Sequence, residues 1–91
     1  MFVLIAPLSS LWVVSKSAHY RDEKAIKAFG KKVRELRTAM GYTIEEFANR
    51  ADIHVTQLSR IERGETNPTI SYIMLLAKEL KVPPQELITF K

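Results

Sequence analysis

Between residues 22 and 40 the apolar side chains fall at Ile26, Phe29, Val33, Leu36 and Met40, in steps of three, four, three and four. That spacing is the repeat of an α-helix and draws one apolar stripe along it. Gly41 stands where such a helix stops. Two residues on, Thr43 followed by Glu46 has the spacing of a capping box, so a second helix opens almost at once.

The same punctuation continues. Phe47, Ala48 and Ala51 give the second helix its inward face, and "ADI" is a tight break. A third helix begins at His54 or Val55, carries Leu58 and Ile61 inward, and ends at Gly64. "ETNP" reads as a loop. Thr69 caps a fourth helix, with Ile70, Ile73, Leu76, Ala77 and Leu80 expected to face in. Pro84 starts a last short helix. The expected fold is all-α: five helices over residues 21–91 with a helix-turn-helix, preceded by a separate arm over residues 1–20.

That arm, "MFVLIAPLSSLWVVSKSAHY", differs in composition from the rest and carries a single lysine. Its apolar part, about residues 2–14, is shorter than the roughly 20 residues of a spanning helix. Pro7, Ser9 and Ser10 interrupt it, no basic residue precedes it, and no clean cleavage site follows. Neither a membrane span nor a signal peptide is expected. "FVLIA" and "LWVVS" are β-branched and aromatic, so each reads as a short strand, paired as a hairpin or across a dimer. An over-long start or a flexible arm is the equal alternative.

At 91 residues, 46% apolar and 26% charged, the chain has room for one small globular domain, and a partner subunit would help so small a core. The net charge of +4 favours anionic partners, nucleic acid first. Seven of the fourteen basic residues lie within residues 21–37 beside three acids. By itself such a run reads as a solvated helix face laced with i,i+4 pairs. The absence of cysteine excludes disulfides and thiolate zinc sites and fits a reducing compartment, so a cytoplasmic protein is expected.

For catalysis the sequence is quiet. His19 and His54 are isolated, and no carboxylate set completes a metal site. There is no Gly-rich phosphate loop and no nucleophile beside a base. The expectation is a non-enzyme without metal or cofactor.

Two short helices joined by a tight turn, the second polar on its outer face, form the helix-turn-helix pattern. Its second helix fits the DNA major groove, with outward residues near its start meeting base edges. The motifs sharpen this: "RELRTAMGYT", then "EEFA", then "QLSRIERGETNP", then "LAKELKV". Over residues 29–87 the chain resembles the Xre-type helix-turn-helix family, to which phage Cro proteins and lambdoid repressors belong. In size it is similar to the controller proteins of restriction–modification systems and to antitoxins of this fold.

The resemblance implies a lambda-repressor-like DNA-binding domain whose recognition helix covers residues 55–63. It implies base contacts by Val55, Thr56, Gln57, Ser59 and Arg60. Arg60 suits a guanine edge, Gln57 an adenine edge or a phosphate, and Val55 or the Thr56 methyl a thymine methyl. Phosphate contacts are implied for Thr43 with the backbone N–H groups beside it, for Arg50 and His54, and for Arg63 with the Thr66–Asn67 loop; Lys32 and Arg34 are weaker candidates. Arg37 and Glu62 match a pair buried in family members, which would set the angle of the recognition helix. One departure stands out: Ile44 occupies a position where the family often has a glutamine that bonds phosphate and braces the recognition helix.

Tyr72, Met74, Leu75 and Phe90 are apolar surface beyond what one core needs, and the resemblance implies a homodimer through the last helices. The expected function is a sequence-specific transcription regulator of bacterial or phage type, binding double-stranded DNA at a pseudo-palindromic operator as a dimer. Two alternatives remain open on the sequence: an antitoxin that uses the same domain and binds a toxin, and a protein-interaction adaptor that kept the fold. Polymerase is a further expected partner for the regulator.

Overall fold

The computed structural model describes residues 20–90 as five helices. α1 spans Glu23–Ala39, α2 Ile44–Ala51, α3 Val55–Glu62, α4 Ile70–Leu80 and α5 Pro84–Ile88. No strand occurs among the described residues. The expected arm strands, and His19, lie outside them. No described helix is long and apolar enough to cross a membrane.

α1, α2 and α4 begin where the sequence supplies a side-chain partner for the free N–H groups of the first turn. The Asp22 carboxylate accepts from the Ala25 N–H at 3.0 Å, and Thr69 Oγ1 accepts from the Tyr72 N–H at 3.2 Å. Thr43 and Glu46 close the expected capping box: Oγ1 accepts from the Glu46 N–H at 3.1 Å, and the Glu46 carboxylate accepts from the Thr43 N–H at 2.9 Å. Gly41, at φ +84°, takes the left-handed turn after α1, and Asp52, at φ +59°, takes the one between α2 and α3.

The core gathers Phe29 and Val33 of α1, Phe47 and Ala48 of α2, Leu58 and Ile61 of α3, Leu76, Ala77 and Leu80 of α4, and Leu87 of α5. α1 is the spine, packing on α3, α4 and α5, while α2 packs on α3 and α4. The inward set of α4 needs one correction. Ile70 is 77% exposed. It is the first residue of the helix, and although its spacing puts it on the stripe of Ile73 and Ala77, it stands at the end of α4 outside the packed core. Ile73 is half-buried against the core.

Candidate nucleic-acid interface

α3 is eight residues long and meets α2 across the two-residue turn that follows Asp52. Leu58 and Ile61 are fully buried and fix which side of α3 faces in. Helical geometry then puts Thr56, Ser59, Arg60 and Arg63 on the opposite side, with Val55 and Gln57 on its two borders. Exposure agrees: Val55, Thr56, Arg60 and Arg63 are exposed, while Gln57 and Ser59 are partly covered. His54 is the N-cap but makes no side-chain capping bond, so the first N–H groups of α3 have no protein side chain on them.

The helix is held at three levels by α1. At the bottom, Arg37 Nε donates to Glu62 Oε2 at 2.7 Å and Nη2 donates to Oε1 at 2.9 Å, the two-pronged arrangement of guanidinium on carboxylate. The two side chains are only 9% and 5% exposed. The third nitrogen, Nη1, donates to the Tyr42 carbonyl at 2.8 Å, so each nitrogen of the buried guanidinium has a partner. The hydrogen bonds to Glu62 raise the Arg37 pKa above its ordinary value, against the opposing effect of burial.

The middle level is a backbone contact. A Cβ added to Gly30 would stand 2.1 Å from the Ile61 carbonyl oxygen and 2.8 Å from that of Glu62. Only glycine lets α1 lie this close to the last turn of α3. The top level pairs Gly64, at φ +73°, with Lys27, whose Cα would be 2.9 Å from an added Cβ. Neither contact was legible in the sequence. Gly30 sits inside a helix pattern, where its tolerated cost was the one available signal.

Tyr42 was also missed. Besides its carbonyl bond to Arg37, its ring carries the Arg50 guanidinium at 4.8 Å from the centroid, and it packs on Phe47 with ring centroids 6.3 Å apart. This cation–π contact is the one charge interaction of Arg50 among the described residues, with no hydrogen bond or ion pair on its guanidinium.

The other sequence-predicted residues are placed unevenly. Arg63 is paired with Glu65 at 3.0 Å, both exposed, so its charge is partly answered within the chain. Thr66 is partly covered and Asn67 is exposed in the loop after α3, where Asn67 lines an apolar groove together with Phe29. Lys32 reaches Glu86 at 3.9 Å, while Arg34 is exposed. Thr43 keeps a hydroxyl proton to donate, but the capping box already occupies its own N–H and that of Glu46. The carboxylates of Glu45 and Glu46 also stand in the first turn of α2. Ile44 packs half-buried against the core, so this position contributes apolar contact where a polar side chain would reach out.

The four expected interface residues do not form one patch. Tyr72 and Leu75 line a shallow groove with Ile53, Met74 lies exposed on another side of α4, and Phe90 lines the groove beside α1. Among the described residues no group of three or more His, Cys, Asp and Glu is placed to hold a metal.

Comparison with known proteins places this geometry. Relatives include control protein C.BamHI of Bacillus amyloliquefaciens, 38% identical over 63 residues, covering 68% of this chain and 78% of that protein. HTH-type transcriptional regulator DdrOP3 of Deinococcus deserti is 35% identical over 57 residues, covering 63% of this chain and 44% of that protein. Among solved structures, the restriction-modification controller protein C.AhdI of Aeromonas hydrophila superposes with a TM-score of 0.65 at 35% identity, covering 68% of this chain and 94% of that one. The DNA-binding domain of BldD gives a TM-score of 0.70 at 25% identity, covering 76% of this chain and all (100%) of that one. The helix-turn-helix family model matches residues 33–87, from the middle of α1 to α5. The chain belongs to the helix-turn-helix family.

Proposed function

We infer that this chain is a DNA-binding transcription regulator that reads a pseudo-palindromic operator as a homodimer through α3. The observation that carries the reading is electrostatic. Glu62 is the only acid of α3, and its carboxylate is withdrawn into the buried pair with Arg37. The outer face of the helix therefore offers hydroxyls, an amide and the Arg60 guanidinium, with no negative charge to repel phosphates.

In this reading Arg60 takes a guanine through its two parallel donors, Gln57 an adenine edge, and Val55 and Thr56 a thymine methyl, with Ser59 between them. The first N–H groups of α3, the open donors of Arg50, and His54 lie on the phosphates. Arg63, Thr43, Thr66 and Asn67 are secondary phosphate contacts, because each is partly engaged within the chain. Tyr72 and Leu75 supply the dimer contact from α4, with Met74 and Phe90 outside its centre. The relatives named as control protein and restriction-modification controller support a controller-type regulator, acting at a promoter by blocking or recruiting polymerase. The relatives named as regulators also support a binding protein and not an enzyme.

Titration of Arg60→Ala against operator and random DNA tests the reading. Loss of one good base contact costs about 1–3 kcal/mol on the operator, with little change on random DNA. Equal weakening on both would make Arg60 a phosphate contact and remove the base-reading role assigned to it.

A further inference from the structure

Tyr42 stands between the anchor of α3 and the arginine of α2. It precedes the N-cap Thr43 and is half-buried. Its backbone meets Arg37 twice. Its N–H donates to the Arg37 carbonyl at 3.4 Å, and its own carbonyl accepts from Arg37 Nη1 at 2.8 Å. The same guanidinium holds Glu62 of α3 through its other two nitrogens. At the side-chain end, the Tyr42 ring rests on Phe47, which is buried in the core, and carries the Arg50 guanidinium.

The ordinary partner of Arg50 on a helix would be the acid four residues before it, Glu46. The capping box has taken that carboxylate, which accepts from the Thr43 N–H at 2.9 Å. Arg50 is exposed, and an exposed arginine loses side-chain entropy when a ligand fixes it. A ring wedged against the core beneath its guanidinium restricts that freedom before any ligand arrives.

We propose that Tyr42 is a positioning residue for DNA binding. Its ring presets the Arg50 guanidinium, and its carbonyl ties that arginine to the Arg37–Glu62 pair that orients α3. The inference rests on the reading above that Arg50 lies on a phosphate. Phosphate contacts set the register of a protein on the duplex, so a preset Arg50 fixes where α3 enters the groove.

The probe is a duplex that the native chain selects from random sequence, titrated at several salt concentrations. Tyr42→Phe keeps the ring and should bind like the native chain. Tyr42→Leu keeps the backbone bonds but loses the ring face. It should bind about two- to fivefold more weakly, the strength of an exposed cation–π contact. Its log–log salt slope should be shallower, by about 0.9 if the phosphate contact is lost entirely. Arg50→Gln should weaken binding in the native background and change little once Tyr42→Leu is present. Additive losses with an unchanged salt slope would make Tyr42 a packing residue and overturn the proposal. So would a Tyr42→Phe variant as weak as Tyr42→Leu. If Tyr42→Leu fails to fold, the Arg50 side-chain protons of the native chain decide: an upfield ring-current shift kept on the bound duplex supports the proposal, and its loss on binding overturns it. Arg60→Ala on the same duplex separates the two readings. If it weakens binding while Arg50→Gln does not, the positioning role falls and the operator reading stands; if neither variant weakens binding, both fall.

Discussion

Removing the Glu62 carboxylate is the sharpest perturbation this structure offers. Glu62→Ala deletes two charge-assisted hydrogen bonds, at 2.7 and 2.9 Å, and leaves the buried Arg37 side chain with only the Tyr42 carbonyl as partner. Breaking a buried pair from one side costs about 3–5 kcal/mol, because the remaining charge stays desolvated. For a domain of this length each kcal/mol lowers the melting temperature by about 4–8 °C, so a fall of roughly 12–40 °C is expected. Glu62→Gln keeps the shape and one acceptor and falls in between. The double variant Arg37→Met/Glu62→Leu removes both charges and should recover most of the loss, since apolar replacement of a whole buried pair is often neutral. Thermal unfolding by circular dichroism at fixed protein concentration reads all three. The pH response has a defined sign. Glu62 raises the Arg37 pKa, so the pair's contribution is fully present below the unfolded value and is lost only above the folded one. No Arg37-linked loss should therefore appear on moderate alkalinisation. A Glu62→Ala melting temperature within two or three degrees of the wild type, on the order of the shift expected from a surface change, would refute the reasoning.

Two further outcomes follow from the backbone. Gly30→Ala forces a methyl against the Ile61 and Glu62 carbonyls and should cost about 1–3 kcal/mol or more while weakening operator binding, whereas Gly41→Ala meets open space and costs only the left-handed backbone, about 1–2 kcal/mol, with operator affinity kept. Thr43→Ala removes the capping bond to Glu46 and should lower stability by about 1 kcal/mol in urea unfolding.

The sequence carried the helices well because each is punctuated locally. The steps of three and four in α1, the Thr43–Glu46 box and the left-handed turn at Gly41 are all neighbours-only signals, and such signals survive without knowledge of the fold. The sequence was weaker wherever a residue's role depends on a partner far along the chain. Gly30 is informative only once α3 lies across it, and Tyr42 only once Arg37 and Arg50 meet on its two sides. Ile70 misled because a first-turn residue can fit the stripe by spacing and still lie past the end of the core. The Arg37–Glu62 pair was reachable at sequence level only through family resemblance, since nothing local links residues 25 positions apart.

In the proposed complex α3 reads DNA sequence in two copies. Selecting bound fragments from a fragmented genome with the full chain, at near-physiological salt, tests it most directly. Enrichment of an inverted repeat whose half-sites lie about 34–36 Å apart, one turn of the duplex, is expected. Fragments recovered without any shared motif, in proportion to their length, would contradict it.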